Sequence, residues 1–186
     1  THFSGLQVWI ITCSFLLAIA SVSFFLKNKI RTALFFVFSA SLLLRLMMTT
    51  IDPYIHLWDE QFHALVAKNM MEDPFTPMLY TNPVLDYDYT QWWNNHIWLH
   101  KQPLFLWCIA LSFKIFGLTE FALRLPFALL SSVIVLMIYR MGKLIVSKNV
   151  GFISALLFGF SCFQLELITG CIHTDHNDTF FMFFVT

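Results

Sequence analysis

The sequence predicts an all-α integral membrane protein, built as a bundle of transmembrane helices with shorter helices at the membrane surface. Of the 186 residues, 58% are hydrophobic and only 12% are charged, whereas an ordinary soluble domain carries about 25% charged residues. The apolar residues also form runs long enough to cross a bilayer, which takes about 20 residues. The formal net charge is zero, so no overall field favours nucleic acid as a partner.

The first two apolar runs predict membrane spans at 6–26 and 32–50. The second span contains Arg45 close to its far end, where we expect the side chain to snorkel toward the lipid headgroups. A short basic segment, 27–31, joins the two spans. The positive-inside rule keeps such a segment in the cytoplasm, which places residues 51–122 outside as a long loop with interfacial helices.

A second basic cluster comprises Arg140, Lys143 and Lys148. It should also be cytoplasmic, which limits how many times the chain can cross the membrane after the outer loop. The number of crossings between the outer loop and this cluster must therefore be odd. Two apolar stretches lie in the interval, at 103–118 and 123–139. The first is short and contains Lys114, which is typical of a helix in the interface plane, so we assign the crossing to 123–139.

Two further spans are predicted, at 150–168 and from 179 onward, with a short outer loop between them. The chain ends at Thr186 inside this last apolar stretch, so we expect it to be part of a longer protein. In this arrangement the acidic clusters around Asp59 and Asp175 face the same outer side of the membrane. We therefore expect them to share one site.

The first candidate site follows the second span directly, where Asp59 and Glu60 begin a short amphipathic helix. A purely structural role is an alternative, because acids in a first helical turn complement the helix dipole. His56, Glu60 and His63 have the spacing i, i+4, i+7. They could present two imidazoles and a carboxylate to a divalent metal if the helix extended back through His56. A divalent metal is the one cofactor that the sequence leaves open.

Two other polar groups lie at predicted membrane boundaries. His100 and Lys101 precede an apolar helix, and a lysine there can hold a lipid phosphate as a compact charge or serve as an anchor. The segment 173–178 crowds two histidines and two acids at the mouth of a span. One of these acids could cap the following helix, but ionisable groups near the bilayer are functional candidates by default.

Taken together and in order, three motifs resemble the protein O-mannosyltransferase and aminoarabinose transferase group, glycosyltransferase family 39 of the GT-C superfamily. They are an Asp-Glu pair after an early span, K-x-P-L-F-L-W entering a short helix, and F-G-x-x-E-F-A-L-R-L-P opening the next span. The resemblance runs from about residue 52 to the end. It implies a GT-C-like bundle that transfers a sugar, with inversion, from a polyprenyl-phosphate donor to a lipid, glycan or protein acceptor on the outer face.

The resemblance also implies roles for individual residues. An inverting transfer needs a carboxylate to take the acceptor proton and a cation to stabilise the departing phosphate, and Asp59 and Lys101 match these two. Whether Asp175 or Asp178 is the second functional acid is left open. The candidate catalytic residues are Asp59, Glu60 and Asp175. The candidate substrate-binding residues are His100, Lys101, Arg124, His173 and Asp178.

Two other function classes remain as alternatives. An ion-coupled transporter would use Glu166 and the aspartates as ion sites, and it predicts carboxylates deep within spans. A non-catalytic membrane assembly subunit predicts that the candidate residues can be replaced freely. For the leading hypothesis we expect a multi-pass protein of the bacterial inner membrane, in contact with membrane lipids, with its active site on the periplasmic face and no nucleic-acid partner.

Overall fold

The computed structural model describes residues 3–91, 95–169 and 176–186. Within these ranges the chain is helical apart from its loops and one isolated antiparallel bridge between Met78 and Ile97, so the predicted all-α class is confirmed. The helices in chain order are α1 (Gly5–Leu26), α2 (Ile30–Met48), α3 (Asp59–Asn69), α4 (Pro103–Phe116), α5 (Glu120–Ile145), α6 (Lys148–Gly159), α7 (Cys162–Thr169) and α8 (His176–Val185).

Three of the described helices, α1, α2 and α5, are long and apolar enough to cross a membrane. The pair α6 and α7 passes the same test together, as a broken span bent by 42°. With 14 residues, α4 is shorter than a crossing needs. The sidedness and the exact limits of each crossing stay predictions.

The central helix is α5, which contacts α2, α4, α6 and α8. It begins at Glu120 because the hydroxyl of Thr119 accepts a hydrogen bond from the backbone N–H of Ala122, at 3.1 Å. It crosses α6 at very short range. A Cβ atom added at Gly142 would lie 2.6 Å from the Cα of Gly151, so the two backbones touch, as small residues permit in membrane bundles.

The predicted span 150–168 is not one continuous helix. It is divided between α6 and α7 by a break at Phe160 and Ser161. The last carbonyls of α6 have no partner within their own helix, as at any helix end, and such groups are costly in lipid. Within the break, the N–H of Ser161 donates to the carbonyl of Phe158 at 3.3 Å, and another part of the chain must satisfy the carbonyl of Gly159.

That partner is Arg45, and the prediction that Arg45 snorkels toward the headgroups is wrong. Its side chain is 0% exposed. The guanidinium donates hydrogen bonds to the carbonyls of Gly159 (2.8 Å) and Phe158 (3.4 Å). It also donates to the hydroxyl of Ser131 on α5 (2.8 Å) and to that of Ser41. A paired guanidinium inside the bundle is stable where an unpaired one would not be, and here it joins α2, α5 and the broken span.

Candidate functional site

The predicted outer end of the bundle is organised by α3. One face of this helix, with Val66 and Ala67, is buried together with the C-cap residue Met70 in the largest hydrophobic cluster of the described residues. The same cluster includes Phe105 of α4, Phe127 of α5 and Phe180 of α8. The polar residues of α3 therefore meet the starts of three other helices.

Glu60 is the polar centre of this region. It is 4% exposed, and its two carboxylate oxygens accept four hydrogen bonds. Oε1 accepts from Nε of Arg124 (2.8 Å) and Nε2 of His176 (3.1 Å). Oε2 accepts from Nη2 of Arg124 (3.1 Å) and the backbone N–H of His56 (2.7 Å). Glu60 thus ties α3 to α5, to α8 and to the loop before α3.

Arg124 is fully buried and uses all five of its N–H groups. Two of them bind Glu60. The other three donate to the backbone carbonyls of Thr49 (3.4 Å), Asp52 (2.6 Å) and Tyr54 (2.8 Å). The guanidinium therefore fixes the course of the loop that links α2 to α3. Its predicted contact with substrate stays a prediction, and binding of substrate would have to displace one of these bonds.

His176 was not among the candidate residues, although its neighbours His173 and Asp178 were. It is buried and stacks on the ring of Phe127, with centroids 5.1 Å apart and planes 4° from parallel. Its Nδ1 lies 3.0 Å from the carbonyl oxygen of Leu167, and its Nε2 faces Glu60. Both partners are acceptors once Glu60 is ionised, so both contacts are hydrogen bonds only when the imidazole carries two protons.

The pKa of Glu60 results from opposing effects. Burial alone raises the pKa, but hydrogen bonds from His176 and Arg124 outweigh burial and lower it from 4.5 to about 2. The carboxylate is therefore ionised at neutral pH and holds a proton very weakly. Since general bases work best with a pKa near the operating pH, Glu60 is poorly suited to accept a proton from an acceptor.

Asp59 is the first residue of α3 and is half-buried. It follows Trp58, whose φ of 79° is unusual for a bulky residue. Such a conformation costs on the order of 1–3 kcal/mol and persists only where the surroundings impose it. The turn at Trp58 also stops α3 from extending back to His56, so His56, Glu60 and His63 do not share one helical face. Among the described residues, no group of three or more His, Cys, Asp or Glu side chains is arranged to hold a metal ion.

His63 lies on the buried side of α3, one turn after Asp59. Its ring is fully buried, edge-on to Trp98 (5.7 Å between centroids) and Phe105 (4.8 Å). Burial, followed by the positive charges of His176 and Lys101, lowers the pKa of His63 from 6.5 to about 3. The imidazole is therefore neutral at physiological pH.

The charges that act on His63 show which candidate residues lie near one another. Those of Asp59, His100 and Lys101 all shift its pKa. Asp59 raises the pKa, whereas Lys101 and His100 lower it. The geometry agrees, because Asp59 lies one turn before His63 on α3 and Lys101 lies in the chain between Trp98 and Phe105, which both contact the His63 ring. The acid and the lysine are 42 positions apart in the sequence.

The remaining candidates are placed as follows. Lys101 is half-buried and His100 is exposed, with the His100 ring 5.5 Å from that of Trp98. Asp178 is exposed in the first turn of α8. His173 and Asp175 lie outside the described residues, so their predicted roles stay predictions.

Comparisons with known proteins agree with the resemblance over part of the chain. Residues 100–186 match the family model described as dolichyl-phosphate-mannose-protein mannosyltransferase, which confirms the resemblance over that stretch. An uncharacterized protein of Aquifex aeolicus (strain VF5) is 32% identical over 111 residues, which are 58% of this chain and 20% of that protein. The chain thus spans about a fifth of this relative's length. No solved structure matches the chain.

Proposed function

We propose that the protein is a membrane glycosyltransferase that moves a sugar from a polyprenyl-phosphate carrier to an acceptor on the outer face of the membrane. The observation that carries this proposal is the packing of His63, one turn after Asp59, against Trp98 and Phe105, the residues that flank Lys101 in the chain. A carboxylate and an ammonium group near one point are the pair that an inverting transfer needs. The family match supports it, because the matched residues include Lys101 and Arg124.

In the proposed reaction, Asp59 takes the proton of the acceptor hydroxyl as that oxygen attacks the anomeric carbon. The bond between the sugar and the carrier phosphate breaks, and the phosphate leaves with the bonding electrons. Lys101 stabilises the charge that develops on the phosphate, as a compact cation does. A single displacement of this kind inverts the anomeric centre.

The cluster of Glu60, Arg124 and His176 serves as the support of this site. Arg124 holds the loop before α3, and Glu60 holds the first turn of α3. Together they fix the position of Asp59, which adjoins Glu60 in the chain. Supporting contacts of this kind keep catalytic groups within the narrow geometry that a reaction needs.

The sidedness is proposed from the distribution of charge. The basic residues between α1 and α2 and those around the α5–α6 turn lie together, because Nζ of Lys148 donates to Oδ1 of Asn28 at 2.8 Å. By the positive-inside rule this end is cytoplasmic. Asp59 follows α2 at the opposite end, which in a bacterial inner membrane is the periplasmic face. The acceptor is a lipid, a glycan or a protein with a free hydroxyl or phosphate.

Sugar transfer by the full-length protein tests the proposal directly. Membranes containing the wild type or Asp59→Asn are incubated with polyprenyl-phosphate-linked sugars, and products are identified by mass spectrometry. We expect the substitution to lower transfer by about 100-fold or more, as loss of a general base does. Asp86→Asn is the matched control, because it makes the same change at an exposed position of the same loop. Transfer at the wild-type rate by Asp59→Asn would rule the mechanism out, and proton-coupled uptake without transfer would favour a transporter.

A further inference from the structure

A groove runs between α2 and α5 on the side of the bundle, at the end opposite to the candidate active site. It encloses about 550 Å³, a volume within the range of about 300–1,000 Å³ that small-molecule sites occupy. Its walls are apolar side chains of both helices, including Leu34, Phe38 and Leu136. Arg31 and Arg140 line it as well, and they lie at the same end because the two helices run antiparallel.

This end of the bundle is strongly basic. Residues 26–32 and 138–150 contain no Asp or Glu, and the Lys148–Asn28 hydrogen bond brings the two turns side by side. Within the part of the chain that the structure describes, neither Arg31 nor Arg140 pairs with a carboxylate. The basic residues of these two segments are Lys27, Lys29, Arg31, Arg140, Lys143 and Lys148.

We propose that this groove binds an anionic phospholipid of the cytoplasmic leaflet, with one acyl chain along the apolar walls and the phosphate between Arg31 and Arg140. Guanidinium groups bind phosphate through paired hydrogen bonds, which a single ammonium cannot reproduce. Charge complementarity favours this occupant over an apolar transmembrane helix, because such a helix would leave the guanidinium groups of Arg31 and Arg140 in the groove without a counter-ion. The site is separate from the proposed glycosyl-transfer site and does not rest on it.

Lipid binding is measured by native mass spectrometry of the full-length protein, titrated with phosphatidylglycerol or with phosphatidylcholine. We expect wild-type protein to bind phosphatidylglycerol at least about tenfold more tightly. The variant Arg31→Gln/Arg140→Gln should weaken that binding by about 25-fold, since each basic residue near an anionic lipid contributes about fivefold. Lys27→Gln/Lys143→Gln is the matched control. It removes the same charge from the same end of the bundle but outside the groove, so we expect a change of about twofold or less.

Equal weakening by the two double variants would overturn the proposal, because it would show attraction to the basic end as a whole. Equal affinity for the two lipids would also overturn it. A second experiment identifies the occupant in native membranes. A photoreactive benzoylphenylalanine replaces Phe35, whose side chain lines the groove and is 64% exposed. Crosslinks to phospholipid support the proposal, whereas crosslinks to polypeptide mean that a protein segment fills the groove.

Discussion

Replacing Glu60 by glutamine should destabilise the protein although it preserves the shape of the side chain. The substitution removes the charge that Arg124 and His176 share, and it turns an NH2 group toward a donor. A pKa lowered from 4.5 to about 2 corresponds to about 3 kcal/mol, since one pKa unit is worth about 1.4 kcal/mol. Removing one partner of a buried ion pair typically costs about 3–5 kcal/mol. The two figures agree, so we expect a loss of about 3 kcal/mol in the free energy of unfolding.

The destabilisation should depend on pH in a defined way. Because the folded-state pKa of Glu60 lies below its unfolded value, its contribution is fully present above about pH 4.5 and is lost as the pH falls toward about 2. The difference in stability between wild type and Glu60→Gln should therefore be constant near neutral pH and shrink in acid. His63 lowers stability in acid as well, between about pH 6.5 and about 3, because its unfolded form takes up the proton first. That effect is common to both proteins.

The assay is thermal unfolding of the full-length protein in detergent, followed by tryptophan fluorescence. Glu60→Gln should lower Tm by about 5 °C or more. Asp59→Asn makes the same chemical change one residue earlier, at a half-buried side chain, and should leave Tm within about 1 °C. In a double-mutant cycle, Arg124→Gln should add much less to Glu60→Gln than it costs alone. The buried ion pair does not stabilise the site as described if Glu60→Gln has the same Tm as the wild type. The same holds if the losses in unfolding free energy from Glu60→Gln and Arg124→Gln are additive.

Two further predictions concern the membrane bundle. Arg45→Met should cost about 2 kcal/mol or more in thermal unfolding, because the carbonyl of Gly159 loses its donor and that of Phe158 loses one of two donors, and unchanged unfolding would contradict the role given to Arg45. Gly151→Ala should cost about 1–3 kcal/mol, because a Cβ there collides with the backbone of α5, including the N of Lys143 at 2.8 Å. Gly5→Ala is its control, since nothing lies within 4 Å of an added Cβ, and equal effects of the two substitutions would refute the close crossing.

Much of the fold is predictable from the sequence, because in lipid a continuous apolar run has few structures open to it other than a helix. The broken span was not predicted. Its local signal is weak, consisting of Gly159 and Ser161 around an aromatic residue. Its determinant is Arg45, which lies 114 positions from Gly159. From the sequence alone, a charged residue near the end of an apolar run is expected to snorkel. Only the folded chain shows that distant backbone carbonyls accept hydrogen bonds from Arg45.

The sequence predicted which types of residue form the candidate site, but not which role each residue has. Asp59 and Glu60 are chemically alike and adjacent, so their sequence does not say which one faces the core. That depends on the turn at Trp58 and on Arg124, which is 64 positions from Glu60. His176 was passed over for a similar reason, because its importance lies in contacts with Glu60 and Leu167 that only the folded chain brings together.

The link between Arg45 and the broken helix bears on how the protein is assembled during synthesis. Until the second helix stands beside it, the interrupted segment would expose bare peptide oxygens to hydrocarbon, each costing several kcal/mol. We therefore expect the broken segment of α6 and α7 to be stable in the bilayer only once α2, which carries Arg45, lies beside it. The order of synthesis suits this requirement, because α2 with Arg45 is made before the break between α6 and α7 that Arg45 stabilises.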